Sequence, residues 1–297
     1  MPIGLITHMD TTRPEDVNPL ITNLDFTSTP FTSAIGEATA LNTLHEWQTD
    51  VLGAAADNAA IESSDPSVVD MVQPTRSTNV VQLFRKIVTV SDTESAIPHY
   101  GMGDPFVYQT DKAMTEMKRD LEKAAIQGTR ASGSSGVARR MDGAIALITT
   151  NKTARTSGTS FIEDEFNAIV KGIFDGGTDS TSDLVLLPSY LKLVVDRFNT
   201  KVTQNLNANE YSQVLRVETY TSAFGVHNIA LSRETPTSGV LVVDTSKWRK
   251  AYLVNRQPQL RPLGKTGSST KGLLEAEATL EALNQKSSAY RSGYFVG

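Results

Sequence analysis

DPFVYQTDKAMTEMKRDLEKAAIQG, residues 104–128, carries its own start and stop signals. Asp104 suits the N-cap, where a short side-chain oxygen satisfies an orphan backbone N–H. Pro105 suits the first helical position, which needs no donor, and Gly128 suits the C-terminal stop. Between them Val107, Met114, Met117, Leu121 and Ala124 fall on one stripe, while Lys112, Glu116, Lys118, Arg119, Glu122 and Lys123 occupy the remaining surface. The spacing predicts an amphipathic helix of roughly two dozen residues, about 36 Å long at 1.5 Å per residue. Two strand-like segments match that span at roughly 3.3 Å per residue. One is VVQLFRKIVTV (80–90). The other is LLEAEATLEAL (273–283), in which Leu274, Ala276, Ala278, Leu280 and Ala282 alternate with Glu275, Glu277, Thr279 and Glu281. A helix and two strands of one length predict an elongated sheet with a helix packed along it, in the α+β class.

Upstream, DFTSTPFTSAIG (25–36) fits neither the helical nor the strand period and is broken by Pro30. The whole of 1–47 is arm-like: Thr, Ser and Pro recur, and the hydrophobics Leu20, Ile21, Leu24, Phe26, Phe31, Ile35, Leu41 and Trp47 come singly. Such a segment cannot offset its own ordering entropy, yet it carries aromatics that disordered tails lack, so it is built to lie on something else. Residues 48–79 are small and polar, with Asp50, Asp57, Glu62, Asp65 and Asp70 preceding the first cation, Arg76. A structureless loop of that length is uncommon inside a compact domain, which predicts a loose two-stranded excursion with a function.

Downstream of the helix, GTRASGSSG (128–136) is a flexible turn, and an apolar stretch follows at 143–148. A second helix is expected from Ser160, whose capping box closes on Glu163, through Phe166, Ile169, Val170 and Ile173 to Gly176. LVLLP (184–188) predicts a buried strand running into a helix with Leu191, Val194, Val195 and Phe198, and shorter strands are expected at 214–220, 226–231, 239–243 and 251–254.

Composition narrows the function classes. The 297 residues are 39% hydrophobic and 21% charged, with no stretch apolar enough to span a membrane. MPIGLITHMDTTRPED has neither a basic n-region nor an apolar h-region, so no signal peptide is read and a cytosolic setting is expected. Zero cysteines exclude disulfides, thiolate metal sites and a cysteine nucleophile. A net charge of -5, with Arg13 the sole cation in the first fifty residues, argues against affinity gained by neutralising phosphates. No catalytic constellation emerges and no cofactor is expected. His45-Glu46 begins like a zincin motif, but Thr49 stands where the second histidine belongs. LGKTG (263–267) lacks the first glycine of a phosphate loop, Gln259 standing in its place, and is better read as a polar turn. Asp175, Asp179 and Asp183 lack calcium-loop spacing.

Four segments in order, STPFTSAIG (28–36), HEWQTDVL (45–52), RKIVTVSDT (85–93) and the helix entered by YGMGDP and running through EMKRDLEKAAIQG (116–128), resemble the major capsid proteins of tailed bacteriophages, in particular the SU10-like family. The resemblance covers most of the chain. It implies the HK97-like capsid fold: an N-terminal arm at 1–47, an E-loop at 48–84, and a peripheral domain at 85–174 with its spine helix at 104–128. An axial domain at 175–268 and a return to the peripheral domain at 269–297 complete it. The implied function is a subunit that assembles through hexamers and pentamers into an icosahedral head around double-stranded DNA, in the virion after assembly in the host cytoplasm. Its partners would be itself, a portal, a separate scaffolding protein and decoration proteins, with no sequence-specific DNA binding, no membrane and no catalysis.

On this reading Phe26, Phe31, Ile35 and Trp47 are expected to be buried against other subunits or the spine helix. The acidic residues Asp57, Glu62, Asp65 and Asp70 are expected to seek cations on a neighbour, with Arg139, Arg140, Lys152 and Arg155 as candidates. Residues 48–84 contain no lysine for the isopeptide cross-link some such capsids form, so a non-covalent shell is expected. An encapsulin-like compartment is the alternative of the same fold, and a cytosolic enzyme the alternative of another class.

Overall fold

The computed structural model describes residues 25–63, 65, 72–99, 101–176, 182–198 and 219–295. In chain order these contain helix α1 (Pro30–Ala34), strands β1 (Gly36–Ala40), β2 (Leu44–Thr49), β3 (Thr75–Val80) and β4 (Gln82–Ser91), and helices α2 (Asp92–Ala96), α3 (Pro105–Gln127) and α4 (Ala144–Leu147). Strand β5 (Lys152–Thr159), helix α5 (Glu163–Asp175), strand β6 (Leu184–Leu187) and helix α6 (Ser189–Phe198) follow. The chain closes with strands β7 (Thr219–Ser222), β8 (Gly225–Leu231), β9 (Val240–Val243), β10 (Trp248–Leu253), β11 (Gln259–Pro262), β12 (Ser269–Ala282) and β13 (Ala289–Tyr294).

The first sheet is organised by β12. Strand β4 pairs antiparallel along one edge, from Ser269 to Ala278; β11 and then β10 share the other edge, and β1 joins β10 in parallel. Helix α3 lies along this sheet, and Ala113, Met117, Ala125 and Ile126 join Phe84, Val88, Leu274, Ala276 and Ala278 in one core. The helix ends fall where its sequence signals lie. The Asp104 carboxylate accepts the Phe106 N–H at 2.8 Å, and the Gly128 N–H reaches the Ala124 carbonyl at 2.9 Å. Glycine is required at 128 by close approach: a Cβ there would run into the carbonyl oxygens of Ala124 and Met141. The buried face is rotated from the expected stripe, however. Val107 is 54% exposed, while Glu122, assigned to the solvent side, is buried.

The terminal strand departs from expectation in a second way. It alternates as predicted, but Glu275, Glu277, Thr279 and Glu281 are buried along with the apolar set. Both faces of β12 are covered, one by α3 and the other by segments described below.

The second sheet has the order β5-β13-β9-β6-β8-β7. Helices α5 and α6 pack on it through Phe166, Ile169, Val170, Ile173, Leu191 and Val195. Strand β5 and α5, expected within 85–174, and β13, expected in the return at 269–297, therefore lie with this second sheet. Their apolar faces complete its core, and β13 pairs with both β5 and β9. Helix α5 starts at Glu163, and the capping box at Ser160 is not used. Phe161 is drawn into the core edge-on to Tyr294 at 4.8 Å, which keeps the chain extended there, and the Glu163 carboxylate accepts the Tyr220 hydroxyl instead. The excursion after the arm is two-stranded at its base, β2 pairing antiparallel with β3.

Candidate functional site

The arm is held by a buried carboxylate. Helix α1 is a single turn of five residues with Thr29 at the N-cap and no side-chain cap of its own. Its orphan donors are taken by the spine helix α3: Glu122 Oε1 accepts the Phe31 N–H at 2.8 Å and Oε2 accepts the Thr32 N–H at 2.7 Å. Burial raises the Glu122 pKa above the ordinary carboxylate range; the hydrogen bonds from Thr32 and Phe31 oppose that rise, and the nearby charge of Glu234 adds to it. Around this anchor the Phe31 ring packs edge-on to Trp248 at 6.0 Å. Lys250 donates to the Thr32 carbonyl at 3.2 Å and pairs with Glu37 at 3.1 Å. Phe26 lies under the guanidinium of Arg119 at 4.0 Å, with Arg233 at 4.9 Å.

The foot of the E-loop hairpin is fixed just as firmly. Trp47 is buried and its indole N–H donates to the Ala282 carbonyl at 2.7 Å. Asn79, fully buried on β3, donates to the carbonyls of Asp142 and Leu280 and accepts the N–H groups of Asp142 and Val80. Replacing Trp47 with phenylalanine keeps most of the ring and removes the donor. The expected result is a loss of about 1 kcal/mol, read from urea unfolding of the unassembled subunit.

Between foot and sheet lies a ladder of charge on β12. Glu275 pairs with Arg85 at 3.0 Å and Arg256 at 3.5 Å. Glu277 pairs with Arg256 at 2.8 Å and Arg139 at 3.1 Å, and Glu281 faces His45 at 3.7 Å. The partners come from β4, from the turn after β10, from the 128–142 loop and from the E-loop foot. Glu275 and Glu277 are tolerable on a buried face because each has two arginine partners.

The residues singled out in the sequence thus fall into distinct groups. Phe31, Ile35 and Trp47 are buried by their own chain, and Phe26 is half-buried on the spine helix, so the described arm lies on its own body. Asp57, Glu62 and Asp65 are exposed, and Asp70 lies outside the described residues. Arg139 is engaged with Glu277, and Arg155 forms a two-oxygen pair with Glu165 at 2.9 and 3.1 Å, so neither is a free counter-charge for a neighbour. Arg140 and Lys152 are exposed. Of the motifs set aside, Lys265 in LGKTG pairs with Asp92 at 2.9 Å, Asp175 pairs with Lys171, and Asp183 accepts from Thr245; Asp179 lies outside the described residues. The anchor Glu122 and the basic partners of the ladder were not readable from local spacing: Arg85 and Glu275 lie 190 residues apart in sequence, and His45 and Glu281 lie farther apart still.

An elongated sheet with a spine helix, a folded-on arm and a projecting hairpin is an architecture shared with known shells. The capsid of a native GTA particle superposes with a TM-score of 0.70 at 11% identity, covering 97% of this chain and 98% of that one. The capsid subunit of Cyanophage A-1(L) gives 0.67 at 11% identity over 97% and 98% of the two chains. Identities this low speak for the fold, which is the HK97-like capsid fold. In sequence, the major capsid protein of Escherichia phage Phieco32 is 25% identical over 310 residues, 86% of this chain and 87% of that protein. Residues 5–293 match the family described as SU10 major capsid protein. With nearly its whole length matched, the chain belongs to the SU10 major capsid protein family.

Proposed function

We propose that this subunit assembles through hexamers and pentamers into the icosahedral head of a tailed phage, each copy laying its E-loop on a neighbour, and that the head encloses double-stranded DNA. The observation that carries this reading is the E-loop itself. Beyond β2 every residue from Val51 to Ser63 is exposed, including Leu52 at 94% and Ile61 at 82%, although the foot of the same hairpin is fixed by Trp47 and Asn79. An extended, acidic loop that leaves isolated aliphatic side chains exposed on its own chain offers them to a second chain that can cover them.

Contacts between subunits of this kind are modest singly and add up over a closed lattice. Asp57, Glu62 and Asp65 would meet cations of a neighbour, with Arg140 and Lys152 available. The role is structural: the wall confines the DNA without neutralising it, and a portal, a separate scaffolding protein and decoration proteins would act as partners outside any membrane. Assembly would take place in the bacterial host cytoplasm, and the product is the virion head.

The test is assembly with and without the loop. The full chain is expected to give hollow polyhedral particles, or rings that convert to them, by light scattering and negative-stain microscopy. A chain in which residues 51–73 are replaced by a short Gly/Asn turn is expected to stay folded and unassembled. Because residues 48–84 lack lysine, boiled particles should run as a single band on a denaturing gel; a covalent ladder would refute the non-covalent shell. Particles formed equally well by the loop-deleted chain would remove the E-loop from the assembly mechanism.

A further inference from the structure

Strand β4 has an open edge. It pairs with β12 on one side, and no strand among the described residues takes the other. In an antiparallel ladder every second residue turns its N–H and C=O away from its partner, so this ten-residue strand presents a row of backbone groups outward. Two cavities, of about 440 and 230 Å³, follow one another along the strand, the first touching residues 82–85 and the second residues 86–89. Four consecutive strand residues point alternately to both faces, and what they share is the edge, so a cavity that touches all four opens on the backbone. Helix α3 supplies the opposite wall of both cavities. A groove between an open strand and a helix can accept an extended segment as an added strand.

The chemistry of the groove selects a narrow, acidic occupant. Lys112 stands on the wall of one cavity, Lys123 and Arg140 on that of the other, and all three are exposed. The carboxylates of the same wall, Glu116 and Asp120, are engaged by Lys86 at 3.4 and 2.9 Å. VLGAAAD (51–57), the start of the E-loop, meets that description. It is exposed throughout and belongs to no helix or strand of its own chain, and it ends where the Asp57 carboxylate accepts the Ala59 N–H at 3.3 Å and turns the backbone. Asp50 and Asp57 bracket it, about 23 Å apart when extended. Lys112 and Lys123 lie about 16 Å apart along α3, a difference that two lysine side chains span. Its glycine and alanines are no handicap, because main-chain hydrogen bonds carry the affinity of an added strand. Leu83 and Ile87, exposed on the face of β4 that alternates with Phe84 and Val88, offer aliphatic neighbours to Val51 and Leu52.

We propose that residues 51–57 of a second copy add as a strand to the outer edge of β4, with Asp50 and Asp57 meeting Lys112 at one end of the groove and Lys123 and Arg140 at the other. This rests on the reading that each copy lays its E-loop on a neighbour, and it names the surface that receives it. The chain has no cysteine, so single cysteines report the contact. Copies carrying Leu52→Cys, Gly53→Cys, Ala54→Cys, Ala55→Cys or Ala56→Cys, one at a time, are co-assembled with copies carrying Ile87→Cys and oxidised mildly; opposed residues of paired strands lie within the roughly 7 Å between Cα atoms that a disulfide spans. The expected result is a covalent dimer on a non-reducing gel, mapped by peptide mass to the loop and β4, with yields that alternate along the loop in the period of a strand. Val226→Cys, exposed on the second sheet, is the control in place of Ile87→Cys and should stay reduced. Particles that form and need the loop, yet give no bond to Ile87→Cys or bond the control as readily, would overturn this docking and leave the assembly reading standing. A full-length chain that forms no particles would overturn both. Should Ile87→Cys itself block assembly, hydrogen exchange on the unaltered protein decides: amides of 82–89 that slow on passing from subunit to particle support the added strand, and unchanged rates overturn it.

Discussion

Replacing Phe31 with alanine is expected to lower the unfolding free energy of the unassembled subunit by about 3–5 kcal/mol. The side chain has no exposure and packs edge-on against Trp248, itself fully buried, within the main core. Its loss removes the transfer energy of an aromatic ring and leaves a void that a five-residue helix cannot collapse into. Helix α1 is far too short to persist alone, so it exists only while Phe31 and the Glu122 cap hold it to the body. Two readouts should therefore move together. Urea unfolding should shift by the stated amount, and limited proteolysis should cut within 25–40 before any site in α3. Phe26→Ala, which removes a half-buried ring under two guanidinium groups, should cost only about 0.5–1 kcal/mol. A Phe31→Ala subunit as stable and as protease-resistant as its parent would mean that the arm is attached elsewhere.

The spine helix and the long strands were legible because their signals are local. Asp104, Pro105 and Gly128 mark the ends of α3 within one turn of where they act, and the alternation of Leu274, Ala276, Ala278 and Leu280 needs no knowledge of the rest of the chain. The same sequence could not show what covers the other face of β12. Glu275, Glu277 and Glu281 have the pattern of a solvated face, and only the arrival of Arg85, Arg139, Arg256 and His45 from distant segments makes that face an interior. Glu122 was misplaced for the same reason: a glutamate amid lysines on a helix belongs at the surface unless another segment brings it two bare N–H groups. Ser160 shows the converse, a local capping signal overridden when the core draws in Phe161. The arm's own character was partly legible. Its composition says that it must lie on something, and the described part of it lies on its own spine helix, while the E-loop from Val51 to Ser63 stays exposed.

Glu122 offers the strongest separation of charge from hydrogen bonding. Glu122→Ala leaves the Phe31 and Thr32 N–H groups without acceptors and should cost about 1–3 kcal/mol for each, with arm release as the structural readout. Glu122→Gln keeps one uncharged acceptor and sets an amide NH2 against the second N–H group, and the difference from wild type depends on pH in a definite direction. The folded carboxyl binds its proton more tightly than the unfolded one, because burial outweighs the hydrogen bonds that favour the anion. Such a group contributes its full stabilisation below the ordinary carboxylate range, and that contribution is lost as pH rises through the raised folded value. The stability of wild type relative to Glu122→Gln should accordingly be greatest near pH 4 and decline towards pH 7, as measured by urea titrations of unassembled subunits across that range. Acid alone, on this account, does not release the arm through Glu122, because protonation removes the cost of burying the charge. A difference that grows as pH rises would show that the two backbone N–H groups outweigh burial and that the anchor is held by the anion, and one that stays flat would show that the two cancel.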